Sequence, residues 1–276
     1  MCKQALYVPK QTSNIGSKAE LGRFPICNSI IVACFKNFIR LKQMPTGELL
    51  WHALESQNKL RNNSYNTLTY TQAIANLAEH LGIKDLIRVQ SQKIYKKGSS
   101  DIKSFSKTIS LKCADKYISQ FKEKMSEITK NEDTKLWVFS LIKDNFVYEK
   151  YLDIRHSKKN IITKFRLSAH WLPIERMRYC KPKIPRQQRI CTFCKIKIGT
   201  EYHALMECTN PQLQHIRMLY GNIDLARKPT LQTDSAKFEK FIFFMGAKEV
   251  FILPNLIKWF SEINEIYKKS YVVNTC

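Results

Sequence analysis

Three cysteines and one histidine lie within 18 residues of sequence in the C-terminal third of the chain, at Cys191, Cys194, His203 and Cys208. Their spacing is C-x2-C-x8-H-x4-C. The first two residues fit a tight turn that points both thiolates the same way, and the last two lie about one helical turn apart. Three soft sulfur ligands with one imidazole suit Zn²⁺, and four ligands on so short a loop can close a tetrahedron. Because four protein ligands leave no position for water, the spacing predicts one structural zinc ion.

The alternative is that these are two buried cysteines and an unrelated pair. A two-residue Cys spacing arises often by chance, but rarely with His and Cys following at this distance. Cys180 fits no ligand pattern, and we predict a buried thiol there. The nine cysteines are odd in number and irregularly spaced, which argues against a disulfide framework. We therefore expect an intracellular protein with reduced thiols, in either nucleus or cytoplasm.

Positive charge is the second constraint. The chain has 46 Lys+Arg and 23 Asp+Glu, a formal charge of +23. Of this, +12 falls within 155–197, where Glu175 is the single acid. Clustered Lys and Arg supply most of the non-specific affinity for nucleic acid, so we expect RNA and/or DNA as partner. The predicted nucleic-acid-binding residues are Arg155, Lys158, Lys159, Lys164, Arg166, Arg176, Arg178, Lys181, Lys183, Arg186, Arg189, Lys195 and Lys197.

Aromatic residues interleave with these charges. Phe165, Trp171 and Tyr179 are suited to stacking on unpaired bases, although core packing is the alternative for each. The alternatives for the charge are a solvated face and an acidic protein partner. No membrane contact is expected, because we find no basic amphipathic helix with a bulky apolar face that would bind a membrane surface. The most apolar run, 26–39, is also too short and too polar to span a bilayer.

The apolar pattern predicts a mainly α protein with a small zinc-stapled knuckle near the C-terminus. Glycine and proline are few, at eight and nine, and strands are expected only in a hairpin at the knuckle. Residues 1–20 are polar and are predicted to be loose in isolation. In the second helix, we expect Leu49, Leu50 and Ala53 to be buried. The predicted helices are 26–41, 48–60, 70–81, a long helix after Asp101, 209–220, 235–246 and 255–269.

Composition suggests three segments. Residues 1–95 form an N-terminal helical segment, 96–180 a helical region containing much of the basic stretch, and 181–276 the knuckle and C-terminal helices. Lys96 to Ser100 has the composition of a linker. Within the long helix the predicted buried stripe is Phe105, Ile109, Leu111, Ala114, Ile118, Phe121 and Met125.

No catalytic motif is present in the sequence. A polymerase needs paired carboxylates for two metal ions, and the chain has no Asp-Asp pair. A glycine-rich phosphate loop, a nucleophile elbow and a zincin motif are also missing. We therefore expect no catalytic residues, and we interpret His170 as a hydrogen-bonded helix histidine.

The stretch 149–217 resembles a known family. It contains R-x-S-A-H-x-L-x-I-E-x-x-R-Y from Arg166 to Tyr179, then the Cys/His spacing, then Arg217. This is similar to the region downstream of the reverse transcriptase in LINE-type (non-LTR) retrotransposon polyproteins. The stretch from Glu20 to Ile26 also resembles the start of the helices that follow the polymerase thumb in that family.

The resemblance implies a non-catalytic region that holds element RNA or target DNA during target-primed reverse transcription. Met177 stands where the family has Gly, and the proline expected after the last ligand is displaced to Pro211. The fingers and palm are absent, so the resemblance implies the C-terminal third of such a polyprotein, truncated or retained by a host. A zinc-stapled helical scaffold for protein interaction, or a degenerate copy without function, are the alternatives.

Overall fold

The computed structural model describes residues 2–62, 69–92, 100–220 and 234–274. Helical conformations account for 69% of these residues, and no strand occurs among them. The prediction of a mainly α protein is confirmed. The hairpin expected at the Cys/His loop is limited to one isolated bridge between Ile190 and Ile198.

Thirteen α-helices lie within the described ranges. In chain order they are α1 Cys2–Ala5, α2 Asn14–Glu20, α3 Ile26–Lys42, α4 Leu49–Asn62, α5 Tyr70–His80, α6 Lys84–Gln92, α7 Ser100–Thr129, α8 Trp137–Ile142, α9 Asn160–Arg166, α10 Pro173–Arg176, α11 Pro211–Tyr220, α12 Asp234–Gly246 and α13 Leu253–Asn274. Short 3-10 segments cover Lys150–Asp153, Met177–Tyr179, Arg186–Gln188 and Val250–Ile252, and a π-helical turn covers His203–Glu207.

The predicted helices correspond to α3, α4, α5, α7, α11, α12 and α13. Helix α5 shows how local sequence sets both ends. The Thr69 side chain accepts a hydrogen bond from the Gln72 N–H at 3.1 Å, which caps the first turn. At the other end Gly82 has a φ of +63°, a left-handed conformation that glycine adopts without steric cost.

The chain forms two compact units, residues 1–23 with 121–276, and residues 24–120. These differ from the three segments 1–95, 96–180 and 181–276. One reason is that the first part of α7 shares one core with α3 and α5, which places residues 100–120 with the preceding segment. Another is that residues after 180 bond to α10, which precedes them. Of the predicted linker Lys96 to Ser100, residues 96–99 lie outside the described residues, and Ser100 is the first residue of α7.

The core of the 24–120 unit joins α3, α5 and α7 through Phe35, Ile39, Ile74, Ala78, Ile83, Ile87, Phe105, Ile109 and Cys113. On α7 the buried position after Ile109 is Cys113, four residues on, so the prediction of Leu111 was wrong; Leu111 is 54% exposed. The prediction for α4 was also wrong. Leu49, Leu50 and Ala53 are exposed, and Leu54 takes the buried position one turn later.

The other unit is built around α13. Its buried face carries Leu256, Ile257, Phe260, Ile263 and Tyr267, which recur at helical spacing. The Phe165 ring of α9 stacks on Phe260 with centroids 4.7 Å apart.

A buried ion pair connects distant parts of this unit. Arg166 Nε lies 2.7 Å from Glu20 Oε1, and both side chains are at most 1% exposed. A second guanidinium nitrogen donates to Glu149 Oε1 at 3.0 Å. The third donates to the carbonyls of Met245 and Gly246, each at 2.8 Å. Arg166 therefore has carboxylate or carbonyl partners on every side.

Helix α2 belongs to this arrangement and is held by distant parts of the chain, whereas the prediction for 1–20 concerns the segment in isolation and is not tested by these contacts. Helix α2 carries Glu20 into the core, where its second oxygen accepts from the Tyr151 hydroxyl at 2.6 Å. Burial and the Glu20 charge both raise the pKa of Tyr151, which keeps the hydroxyl protonated and able to donate. Because the partners of Glu20 lie more than 130 positions away, the local sequence does not indicate its burial.

Replacing Glu20 by Gln should lower the free energy of unfolding by about 3 kcal/mol, because Arg166 is left buried with less compensating charge. Urea unfolding followed by circular dichroism measures the change. The matched control is Glu127→Gln on the exposed face of α7, which should change stability by less than about 0.5 kcal/mol. Equal free energies of unfolding for the two variants would contradict the proposed contribution of the buried ion pair to stability.

Candidate metal centre

The first two ligands of the predicted site lie in a tight turn. Cys191 N–H donates to the Lys197 carbonyl at 2.8 Å, which pairs the two arms of the loop. Within the turn, Lys195 N–H donates to the Cys191 carbonyl at 3.0 Å, and Lys195 has a φ of +55°. This left-handed residue reverses the chain directly after Cys194. Both thiols consequently face the same side of the loop.

The last two ligands lie on the π-helical turn His203–Glu207. Cys208 N–H donates to the His203 carbonyl at 2.8 Å, a hydrogen bond that spans five residues instead of four. In an α-helix, the residue on the same face as His203 one turn later would be residue 207. The wider π-helical turn instead places Cys208 on that face. The irregular turn therefore accounts for the His-x4-Cys spacing.

The four ligand atoms converge. Cys191 Sγ and Cys208 Sγ are 3.8 Å apart, Cys194 Sγ and His203 Nε2 are 3.3 Å apart, and all four atoms lie within 4.8 Å of one another. In a tetrahedral site with ordinary metal–sulfur bonds, two sulfurs are separated by about 3.8 Å. The group could therefore hold a metal ion with little rearrangement.

Burial affects the ligands differently. It raises the pKa of Cys208 to about 12 and lowers the pKa of His203, which keeps the imidazole neutral and able to ligate through Nε2. Burial also opposes ionisation of Cys194, but hydrogen bonds from the backbone N–H groups of Lys197 and Ile196, together with those from the Cys191 and Cys208 thiols, outweigh it and lower that pKa. A bound cation would favour all three thiolates, and binding would release protons.

Neighbouring side chains support the ligands. The Tyr267 hydroxyl of α13 lies 3.1 Å from Cys191 Sγ. Arg217 of α11 donates to the carbonyls of Leu205 and Cys208, at 2.8 and 3.1 Å, and so holds the π turn. Sequence reasoning noted Arg217 only through the family resemblance. Its role depends on the packing of α11 beside the π turn.

Gly199 connects the loop to the rest of the unit. Its carbonyl accepts from the Ile174 N–H of α10 at 3.1 Å, and its N–H donates to the Arg189 carbonyl at 2.8 Å. A Cβ at this position would lie 2.6 Å from the nearest carbon of Pro173. Only a residue without a side chain permits this approach.

The predicted nucleic-acid-binding residues differ in exposure. Arg166 is buried in the ion pair with Glu20 and cannot reach a surface ligand, which corrects its prediction as a nucleic-acid-binding residue. The exposed residues are Arg155, Lys158, Arg176, Lys181, Lys183, Lys195 and Lys197. The partly buried residues are Lys159, Lys164, Arg178, Arg186 and Arg189.

Several of the partly buried cations have structural partners. Arg186 pairs with Glu132 and Asp133, at 3.1 and 3.4 Å. Arg189 donates to the carbonyls of Ile184 and Ile174. These two side chains therefore have partners within the chain and stabilise the loop.

The predicted stacking aromatics, His170 and Cys180 differ in their burial. Of the aromatics, Phe165 is in the core, Trp171 is partly buried and Tyr179 is 51% exposed. His170 is hydrogen-bonded as expected, with Nε2 2.7 Å from Glu201 Oε1, but it lies in a loop. The Cys180 thiol is exposed, so the prediction of its burial was wrong; it follows the last turn of helix and has no core to enter.

Comparison with models of known protein families found no match for this chain, and neither did comparison with curated proteins or with solved structures. Over the described ranges, no helix combines the length and apolar character needed to cross a membrane.

Gly199→Ala should lower the free energy of unfolding by about 1–3 kcal/mol, because the added methyl group overlaps Pro173 in a buried contact. Gly47→Ala is the matched control, since nothing lies within 4 Å of a Cβ there. Chemical unfolding of both variants tests the contact. If Gly199→Ala is as stable as the parent, the close approach of the loop to α10 is not required.

Proposed function

We propose that the group formed by Cys191, Cys194, His203 and Cys208 holds one structural Zn²⁺. The support is the convergence of three sulfurs and one imidazole nitrogen at tetrahedral spacing, with three of the four side chains buried. Zinc would supply local folding energy, and the chain would supply all four ligands, with Tyr267 and Arg217 fixing their positions.

We further propose that this unit is a nucleic-acid-binding region without a catalytic centre of its own. The observation that carries the proposal is the imbalance of charge at the surface of 155–197. Its single acid, Glu175, is 3% exposed and already paired with Lys135 at 2.7 Å and Arg178 at 3.0 Å. In contrast, six exposed cations have no ion pair among the described residues: Arg155, Lys158, Arg176, Lys181, Lys183 and Lys195.

Such a surface attracts a polyanion, because each cation can replace a counterion on a phosphate. The resemblance to the region downstream of a non-LTR reverse transcriptase points to the same partner. On this proposal the region binds element RNA or target DNA beside a polymerase. Rigid attachment of Lys195 to the metal loop would fix its distance from Lys181 and Lys183.

The zinc proposal predicts about one Zn²⁺ per chain in reduced protein, measured by elemental mass spectrometry. Cys194→Ser should lose most of the metal, because three ligands remain. Cys180→Ser is the control: it removes an exposed thiol outside the Cys/His group, and this variant should keep its zinc. A chelator should unfold 189–209 and leave the long helices intact. Purification without zinc, or full zinc content in Cys194→Ser, would contradict the assignment.

The nucleic-acid proposal predicts a steep decrease in affinity with salt. Charge reversal at Lys158, Lys181 and Lys183, which are all exposed and are not members of the Cys/His group, should weaken binding. Removal of each cation that meets a phosphate should reduce the log-affinity versus log-salt slope by about 0.7 on single strands or 0.9 on duplex. Fluorescence anisotropy with labelled RNA and DNA across a salt series gives both quantities.

The matched control reverses three exposed lysines of α7, at Lys107, Lys112 and Lys124. It alters the net charge equally but leaves 155–197 unchanged, so its slope should stay close to that of the parent. Equal losses of affinity in both triple variants would mean that net charge alone drives binding. Absence of any salt-dependent binding by the parent would favour the protein-interaction scaffold instead.

A further inference from the structure

A cavity of about 380 Å³ opens beside the basic segment, within the unit of 1–23 and 121–276. Its size is within the range of small-ligand sites. Residues from three parts of the unit line it, among them Thr12, Lys135, His170, Arg176, Tyr179 and Cys180. Neither the metal centre nor the general charge of the surface accounts for this combination.

Tyr179 gives the cavity an aromatic wall that is both exposed and fixed. The side chain is 51% exposed, yet its hydroxyl donates to Glu175 Oε1 at 2.8 Å and accepts from Lys135 Nζ at 2.6 Å. A ring held in this way loses little conformational entropy when a ligand packs against it. Every nucleobase has a π face that can stack on such a ring.

Arg176 gives the cavity a positioned cation. Its guanidinium carbon lies 3.9 Å from the centroid of the Trp171 ring, a cation–π contact that restricts the head group. The adjacent carboxylate of Glu175 is occupied by Lys135 and Arg178. The charge of Arg176 is therefore available to an anion, and guanidinium groups match the geometry of phosphate.

Thr12 gives the cavity a hydrogen-bonding group that lacks a protein partner. The residue is 2% exposed, and its Oγ1 has no hydrogen-bond partner among the described residues. A buried hydroxyl without a partner is unfavourable, and such groups in native structures require an explanation. Rotation of the Thr12 side chain would turn this hydroxyl into the cavity, where the polar edge of a bound base would provide the missing partner. His170 cannot serve in this way, because its two ring nitrogens contact Glu201 and the Leu172 N–H.

We propose that this cavity binds one unpaired nucleotide of a single-stranded nucleic acid, with the base against Tyr179, its polar edge at Thr12 and its phosphate at Arg176. The inference rests on the proposed nucleic-acid-binding function and names one recognition site within it. Lys181 and Lys183 come shortly after the cavity residue Cys180 in the chain, and both are exposed. Neighbouring phosphates of the same strand therefore have cations to contact.

The test compares Tyr179→Leu with Tyr179→Phe in the full chain, using a labelled uridine 12-mer over a salt series. The leucine variant has no aromatic face and should bind about 5- to 100-fold more weakly, which corresponds to stacking of one base. Because every phosphate-binding cation is kept, the salt slope should stay at the parent's value. The phenylalanine variant keeps the ring and should retain most of the affinity.

Tyr148→Leu is the matched control. Tyr148 is also exposed, at 44%, and its hydroxyl is also held by a carboxylate, that of Asp153 at 2.8 Å, but it does not line the cavity. Its replacement should leave affinity unchanged. The site is refuted if Tyr179→Leu binds like the parent, or if Tyr148→Leu weakens binding as much. If the parent itself binds no strand, the proposed function fails and the nucleotide site fails with it.

A second measurement uses the unaltered protein and so does not depend on the folding of a variant. Irradiation of the complex with a 5-iodouracil-substituted strand should produce a crosslink that maps to Tyr179. Crosslinks confined to other residues would overturn the assignment. Uridine monophosphate alone offers the same chemistry as a free ligand, and it should bind at least about 100-fold more weakly, because it lacks the neighbouring phosphates. Affinity equal to that of the strand would assign the cavity to a free nucleotide.

Discussion

The ion pair between Arg166 and Glu20 brings together parts of the chain that local folding cannot join. Arg166 ends α9, Glu20 ends α2, and the carbonyls of Met245 and Gly246 end α12. A buried guanidinium is tolerated only when each of its donors has a partner, so these helix ends have one acceptable arrangement. That requirement fixes α9, and with it the Phe165 contact to α13, on which the rest of the unit packs.

The metal centre depends on the same frame. Helix α13 presents Tyr267 to Cys191, and α10, which follows α9 after a short loop, bonds to Gly199. The ligands are therefore supported from two sides by elements that are already packed. Metal binding would complete a loop whose anchors exist before the ion arrives. This division differs from that of small zinc fingers, in which the metal supplies most of the folding energy.

The sequence was sufficient to predict seven of the described helices and the convergence of the Cys/His group, because both depend on short-range spacing. Apolar residues at helical intervals gave α3, α5 and α13, and the Cys/His pattern gave four side chains that do converge. Prediction from the sequence failed where burial or exposure depends on a partner that is distant along the chain. The burial of Glu20 depends on Arg166, and the absence of Arg166 from the basic surface depends on Glu20. The exposure of Leu49 and Leu50 likewise depends on which side of α4 meets α3 and α5. The support from Arg217 and the contact between Gly199 and Pro173 also required the tertiary fold.

The unequal exposure of the four ligands has a kinetic consequence. Cys191, His203 and Cys208 are buried, whereas Cys194 is partly open to solvent and lies within the turn that ends at the left-handed Lys195. An incoming donor ligand can reach the centre by displacing Cys194 while the other three stay in place. Metal delivery and metal release would then share one route, with Cys194 as the last ligand to attach and the first to leave. The lifetime of the bound ion would be governed by opening of the Cys194 turn, independently of the global unfolding rate of the helices.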